Sequence, residues 1–187
     1  IIMLTPLAKD FKGLITISGP TKGGKSLLAE FLIKDQESIT YIATSKPRNN
    51  DIEWQQRINN HKNRRPEHWR LIEYPVDICK SIESRMLNES FLIDSLGGLV
   101  EQNLIKNDNQ WQKFQSKFIN CLLKNNLLII VVVEEIGWGI VPSTPIGHLF
   151  RERHSQLSSL IHRHSIKKLL ALSGTAIDLD KIGFPIP

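Results

Sequence analysis

Residues Gly19-Pro20-Thr21-Lys22-Gly23-Gly24-Lys25-Ser26 fit the spacing GxxxxGK[ST]. That spacing has a phosphate-binding logic. Glycines let the backbone curl until its N–H groups point at phosphate oxygens, and a following helix adds the positive end of its dipole. Lys25 can then reach β- and γ-phosphates, and the Ser26 hydroxyl can ligate Mg²⁺. Such a loop needs an acidic partner for its metal, commonly at the end of a neighbouring strand. Asp94 closes the run FLID, and Glu134-Glu135 follows LLIIVVV. Each acid would sit at a strand's C-terminal edge, where open parallel sheets bind ligands. The plainer alternative is that these acids cap the next helix or turn.

A second constellation lies further along. Arg57, His61, Arg64 and Arg65 recur at i, i+4, i+7 and i+8, so a helix over 51–65 places them on one face. Trp54 and Ile58 lie on a neighbouring stripe that can dock on a core. A histidine among three guanidiniums suits a nucleoside triphosphate. A neutral imidazole could also attack an α-phosphorus while the arginines stabilise charge on the transferred and leaving phosphates. The alternative is a solvated basic face with an incidental histidine. His148, His154, His162 and His164 fall in or near the last long helix, and no metal site is expected there.

These side chains need a scaffold, and short β-branched runs alternating with longer periodic stretches supply one. Strands are expected over 13–18, 39–43, 70–74, 91–94, 127–133 and 169–173. Helices are expected over 26–34, 51–64, 78–87, 99–105, 111–123 and 146–164. The continuous run at 127–133 reads as the centre of a parallel sheet. Alternation of this kind implies βαβ units and helices on both sheet faces. We read one domain over 1–187, with 1–12 as a loosely ordered leader.

Composition narrows the function classes. The chain has 187 residues, 41% hydrophobic and 23% charged, which is ordinary for a globular domain. Cys79 and Cys121 stand alone, so neither a zinc site nor a disulfide framework is expected. No run approaches the roughly 20 apolar residues that span a bilayer. The start lacks a basic signal-peptide region, and the expected location is cytoplasmic. The net charge of +5 is local: residues 46–70 carry +4, leaving +1 for the rest. A patch of that kind fits a phosphorylated ligand better than a polymeric anion, so no nucleic-acid partner is expected.

The chain also resembles a known family, the bifunctional adenosylcobinamide kinase / adenosylcobinamide-phosphate guanylyltransferases of cobalamin biosynthesis. The resemblance is carried by ITISGPTKGGKS, by YIATS at 41–45, by RINNHKNRRPEHW at 57–69 and by EEIGWGIVP at 134–142. FLIDSLGGLV at 91–100 also looks like a family segment. The resemblance implies a P-loop NTPase-like three-layer α/β fold with a mostly parallel central sheet, assembled as a homotrimer. It implies ATP or GTP and Mg²⁺ as cofactors, with Ser26 and Asp94 at the metal. It implies that adenosylcobinamide is phosphorylated, that GTP guanylylates a histidine, and that GMP passes to adenosylcobinamide phosphate, giving adenosylcobinamide-GDP. The guanylylated histidine falls on His61. Nucleotide contacts fall on Gly19 through Ser26, on Ala43, Thr44 and Ser45, on Lys62, Asn63, Arg64 and Arg65, on Glu73 and on Asp94. Lys25, Asp94 and Glu135 join His61 as catalytic residues. The chain departs from the family at Lys22-Gly23, where Arg-Ser is usual, and at Glu134, where Asn is common. Ser158-Ser159 also stand where the family has Asn-Gln.

Two other readings compete. One is a plain P-loop small-molecule kinase in which His61 only contacts phosphate. The other is a P-loop regulatory or nucleic-acid-binding protein, which would show steeply salt-dependent affinity for RNA or DNA.

Overall fold

The computed structural model describes all residues except 1–3, 49, 53, 54, 57, 58, 60, 61, 63, 125, 140, 185 and 187. In chain order its strands are β1 (Gly13–Gly19), β2 (Ser38–Ala43), β3 (Arg70–Glu73), β4 (Glu89–Asp94), β5 (Leu128–Glu134), β6 (Lys167–Leu172) and β7 (Thr175–Asp178). Its helices are α1 (Lys25–Ile33), α2 (Ile78–Glu83), α3 (Leu96–Gln102), α4 (Asp108–Leu123), α5 (Pro145–His164) and α6 (Leu179–Ile182). Ile52, Gln55, Gln56, Asn59, Lys62 and Arg64 are also helical, within the stretch expected to be a basic helix.

The strands form one sheet in the order β3-β2-β4-β5-β1-β6-β7. Every described pairing is parallel except β6 with β7. The order inserts β5 between β1, which leads into the glycine-rich loop, and β4, which ends at Asp94. Alternation explains why β5 is apolar throughout. Ile129, Val131 and Val133 enter one core cluster with residues of α2, α3, α4 and α5. Leu128, Ile130 and Val132 enter the other, with α1 and Trp69. Both faces are covered, so neither can be polar. The structure is therefore a three-layer α/β fold with a mostly parallel sheet. No helix among the described residues is long and apolar enough to cross a membrane.

Several expectations change in detail. The last strand is followed by an unexpected partner: β6 and β7 form a hairpin through Ser173 and Gly174, with φ of 50° and 77°. Positive φ at both central residues matches the right-handed strand twist, and the Ser-Gly pair was its sequence signal. The helix expected over 99–105 begins earlier and stops at Gln102. The Arg153 guanidinium, 3% exposed, explains the stop by binding the carbonyls of Asn103, Leu104 and Lys106 at 3.1, 3.1 and 2.7 Å. The helix expected over 78–87 ends at Glu83, and the Met86 N–H is bound instead by the buried Glu89 carboxylate at 2.8 Å. Part of the stretch read as a leader is docked. Leu7 N–H donates to Leu32 O at 2.9 Å, and Leu7 and Phe11 pack on the α1-side core.

Asp77 caps α2 by accepting from the Cys79 and Lys80 N–H groups, and its other oxygen takes Lys117 Nζ at 2.6 Å. The Lys117 hydrogen bond leads the causes that hold its carboxyl below the ordinary Asp range. Asp77→Ala should cost about 1 kcal/mol at neutral pH, mainly as a lost cap, because the pair with Lys117 is solvent-screened. A lowered folded-state pKa adds stability above the unfolded value, and that stability is lost as pH falls through the lowered value. The urea-midpoint gap between wild type and variant should therefore narrow as pH falls below the ordinary Asp value of about 4.

Candidate active site

β1 delivers the glycine-rich loop to the sheet's C-terminal edge, directly before α1. Lys25 is 8% exposed, and its Nζ donates to Pro20 O at 2.7 Å across the loop. Gly24 precedes α1 at φ 101°, and no side chain caps the helix. The first N–H groups of α1 are thus the type of donors that bind a phosphate. Gly19 must be glycine for space as well as conformation: a Cβ there would lie 2.2 Å from Ala171 O of β6. Thr21 and Lys22 are exposed at the loop's apex, and Ser26 is half-buried in the first turn of α1.

The acids lie on the neighbouring strand tips. The Tyr41 hydroxyl donates to Asp94 Oδ2 at 2.6 Å. Burial first, then the Asp94 charge, pushes the Tyr41 phenol well up, so it remains a proton donor. Glu134 ends β5 opposite Gly19. Its carboxylate accepts from Ser95 Oγ and from Gly97 N–H at 2.9 Å, and it lies 3.3 Å from His154 Nε2. Burial pushes the Glu134 carboxyl up, but hydrogen bonds from His154 and Ser95 outweigh it and hold the group below its ordinary value. Glu135 is half-buried, and its N–H ties the end of β5 to Gly19 O at 3.0 Å.

The basic segment reaches the same edge from another direction. Arg64 Nε and one terminal nitrogen donate to the two Glu30 oxygens at 3.1 and 3.2 Å, a bidentate pair onto α1. That hydrogen bonding to Glu30 raises the Arg64 pKa. The Arg65 guanidinium stacks over the Tyr41 ring, 4.3 Å from its centroid. Lys62 and Glu73 form an exposed pair at 3.8 Å. Arg57, His61 and Asn63 lie outside the described residues.

Ala43 ends β2, and Thr44 and Ser45 follow at that edge. Thr44 is fully buried. Its N–H donates to Asp94 O at 3.0 Å, its hydroxyl bonds Ser95 O at 2.6 Å, and its carbonyl accepts from Gln102 Nε2 at 2.8 Å. Its side chain thus braces the site from within. α3 packs against this turn so closely that a Cβ on Gly98 would sit 2.4 Å from Thr44 Oγ1 and 2.7 Å from Ser45 N. A mid-helix Gly→Ala change alone would stabilise by up to about 1 kcal/mol. Here the clash should win, so Gly98→Ala is expected to destabilise by about 1–3 kcal/mol, read as a lowered urea midpoint.

The structure therefore gathers the loop, Asp94, Glu134, Glu135, Arg64 and Arg65 around one sheet edge. Sequence reasoning missed Glu30, Tyr41, Ser95 and His154. Tyr41 could have been suspected from its place beside Ala43 to Ser45. Nothing in the sequence signalled the pairing of Glu134 with His154, twenty residues on. The donor set suits Mg²⁺. Among the described residues no three His, Cys, Asp or Glu side chains cluster to cage a metal. A hydroxyl and a carboxylate match an ion that keeps water and shares phosphate oxygens.

A glycine-rich loop opening a buried-lysine helix, with a carboxylate two strands away, defines a P-loop nucleotide-binding α/β protein. The fold is similar to that of a Pyrococcus horikoshii OT3 protein, with TM-score 0.54 and 9% identity over 95% of this chain and 93% of that one. It is similarly close to an ATPase from the type III secretion system of pathogenic bacteria, with TM-score 0.53 and 10% identity over 92% of this chain and 59% of that one. At the sequence level, residues 15–179 match cobinamide kinase / cobinamide phosphate guanyltransferase, and the chain belongs to that enzyme family. It is 27% identical to the bifunctional adenosylcobalamin biosynthesis protein CobU of Escherichia coli K12, over 89% of this chain and 99% of that protein. It is 30% identical to the corresponding CobP of Pseudomonas aeruginosa PAO1, over 91% of this chain and 94% of that protein.

Proposed function

We propose that this chain carries out both reactions. In the first, the γ-phosphoryl group of ATP or GTP passes to the aminopropanol hydroxyl of adenosylcobinamide. In the second, a His61 ring nitrogen attacks the α-phosphorus of GTP, the bond to the β-phosphate breaks, and pyrophosphate leaves. The GMP then passes from His61 to adenosylcobinamide phosphate, giving adenosylcobinamide-GDP. The observation that carries this reading is the bidentate Arg64–Glu30 pair, which fastens the basic segment to the helix that follows the phosphate loop. One nucleotide can then be served by the loop and the basic segment of a single chain.

The residues divide the work by charge and place. Loop N–H groups and the start of α1 hold the phosphates. Lys25 supplies a cation where charge grows on the transferred group. Ser26 and Asp94 would hold Mg²⁺, which when bound neutralises phosphate charge. Tyr41 fixes one Asp94 oxygen by donating to it. Arg64, Arg65, Lys62 and Asn63 flank His61 in sequence and would steady the triphosphate during attack. Glu73 would hold Lys62 in place, and Ala43, Thr44 and Ser45 would line the nucleotide's side of the β2 edge. Glu135 opens the glycine-containing segment 135–139 beside the loop, where the corrinoid hydroxyl would approach. The working form is a cytoplasmic homotrimer.

The test uses γ-labelled ATP or GTP with adenosylcobinamide. Label should appear in adenosylcobinamide phosphate. Added GTP should convert that product to adenosylcobinamide-GDP. Failure to phosphorylate adenosylcobinamide with either nucleotide would contradict the first half of the proposal.

A further inference from the structure

Among the acids at this sheet edge, Glu134 is bound in an unusual way. Asp94 accepts from the Tyr41 phenol on Oδ2, whereas both oxygens of Glu134 face donors. Oε1 accepts from Ser95 Oγ, and Oε2 accepts from Gly97 N–H at 2.9 Å and faces His154 Nε2 at 3.3 Å. His154 lies mid-way along α5, is 2% exposed, and packs its ring 5.8 Å from Phe150. A carboxylate with three donors on two oxygens has little capacity left as a base or a metal ligand. Its influence runs through what it holds.

What it holds is the turn carrying Asp94. Ser95 directly follows Asp94. The Ser95 N–H donates to Thr44 Oγ1 at 2.9 Å, and its carbonyl accepts from the same hydroxyl at 2.6 Å. Its hydroxyl goes to Glu134. The turn is thus clamped between the tip of β2 and the tip of β5. β5 is the strand that joins it to the phosphate loop, since Glu134 pairs with Gly19 and the Glu135 N–H binds Gly19 O at 3.0 Å. His154 reaches this junction from α5, which shares a core cluster with α3 on the sheet face away from α1, and fixes the carboxylate's direction.

We infer that Glu134 and His154 form a positioning pair that sets the Asp94–Ser95 turn against the phosphate loop and so aligns Asp94 for a magnesium-bound nucleotide. The inference rests on the reading of Asp94 as a metal-binding residue of a nucleotide site. Partners behind a metal ligand typically govern about 10–100-fold in metal affinity or activity, and misplacing a reacting group by about 1 Å can cost about 10²-fold.

The test compares GTP binding to the full chain with and without Mg²⁺, using Glu134→Gln, His154→Ala, His154→Gln and Ser95→Ala. For Glu134→Gln and His154→Ala, GTP affinity without Mg²⁺ should stay within about threefold of wild type, while the gain on adding Mg²⁺ falls about 10–100-fold. Phosphoryl transfer should lose kcat at unchanged KM for the corrinoid. His154→Gln, which can still donate to the carboxylate, should recover most of the Mg²⁺ gain. Ser95→Ala removes a single hydroxyl; it should shift the Mg²⁺ gain in the same direction and keeps the idea testable should the Glu134 or His154 variants fold poorly. An unchanged Mg²⁺ gain in the folded variants would overturn the inference. Equal loss with and without Mg²⁺ would also overturn it, since it would mark a purely structural role. Asp94→Asn separates the underlying reading: if it keeps the wild-type Mg²⁺ gain, Asp94 is not at the metal and the premise itself fails.

Discussion

Replacing Lys25 by alanine should slow phosphoryl transfer and guanylyl transfer together, each by about 10²–10³-fold, the loss seen when one preorganised donor is removed from a developing oxyanion. The reason is local. Lys25 is the first residue of α1, is 8% exposed, and holds its ammonium across the loop against Pro20 O. The backbone N–H groups of the loop survive the change, so GTP should still bind, although less tightly. Lys25→Arg should not restore activity, because a planar fork differs in reach and shape from a point charge. Single-turnover rates with labelled GTP report both steps. A variant with unchanged phosphoryl transfer would show that the loop lysine does not serve the transferred phosphate.

The second large effect concerns His61. His61→Ala removes the proposed nucleophile, and GMP transfer should fall by a factor on the order of 10⁶, below detection. Phosphoryl transfer to adenosylcobinamide should persist, because the loop, Lys25 and Asp94 remain. The two changes therefore differ in kind: Lys25→Ala slows both reactions, whereas His61→Ala splits them. If His61→Ala kept the second reaction, the guanylyl group would have to be carried elsewhere, or pass directly to the corrinoid phosphate.

How much of this was legible in the sequence follows from the range of the interactions. The phosphate loop was readable because its function depends on backbone shape, which Gly19, Gly23 and Gly24 encode locally. β5 was readable because both of its faces are covered, leaving an unbroken apolar run. Asp94 was readable because it ends a strand. The β6–β7 hairpin was missed although Ser173-Gly174 signalled it. The early end of α3 depends on Arg153, some fifty residues away in the chain. The Glu134–His154 pair needs β5 and α5 to be placed before it exists at all. The basic segment was legible as charge, but its attachment to α1 was not: Arg64 finds Glu30, 34 residues earlier, only once the fold brings the two together.

On this mechanism one chain both binds the triphosphate and becomes guanylylated. The most direct measurement incubates the wild-type protein with GTP labelled at the α-phosphate and Mg²⁺, then tests the denatured chain for bound label. The labelled protein should carry a bond that is acid-labile and base-stable, as expected for a phosphorus–nitrogen linkage, with label mapping to the peptide containing His61 and release of pyrophosphate. A protein that phosphorylates adenosylcobinamide yet takes up no α-phosphate label would be a plain P-loop kinase, with no guanylylated histidine.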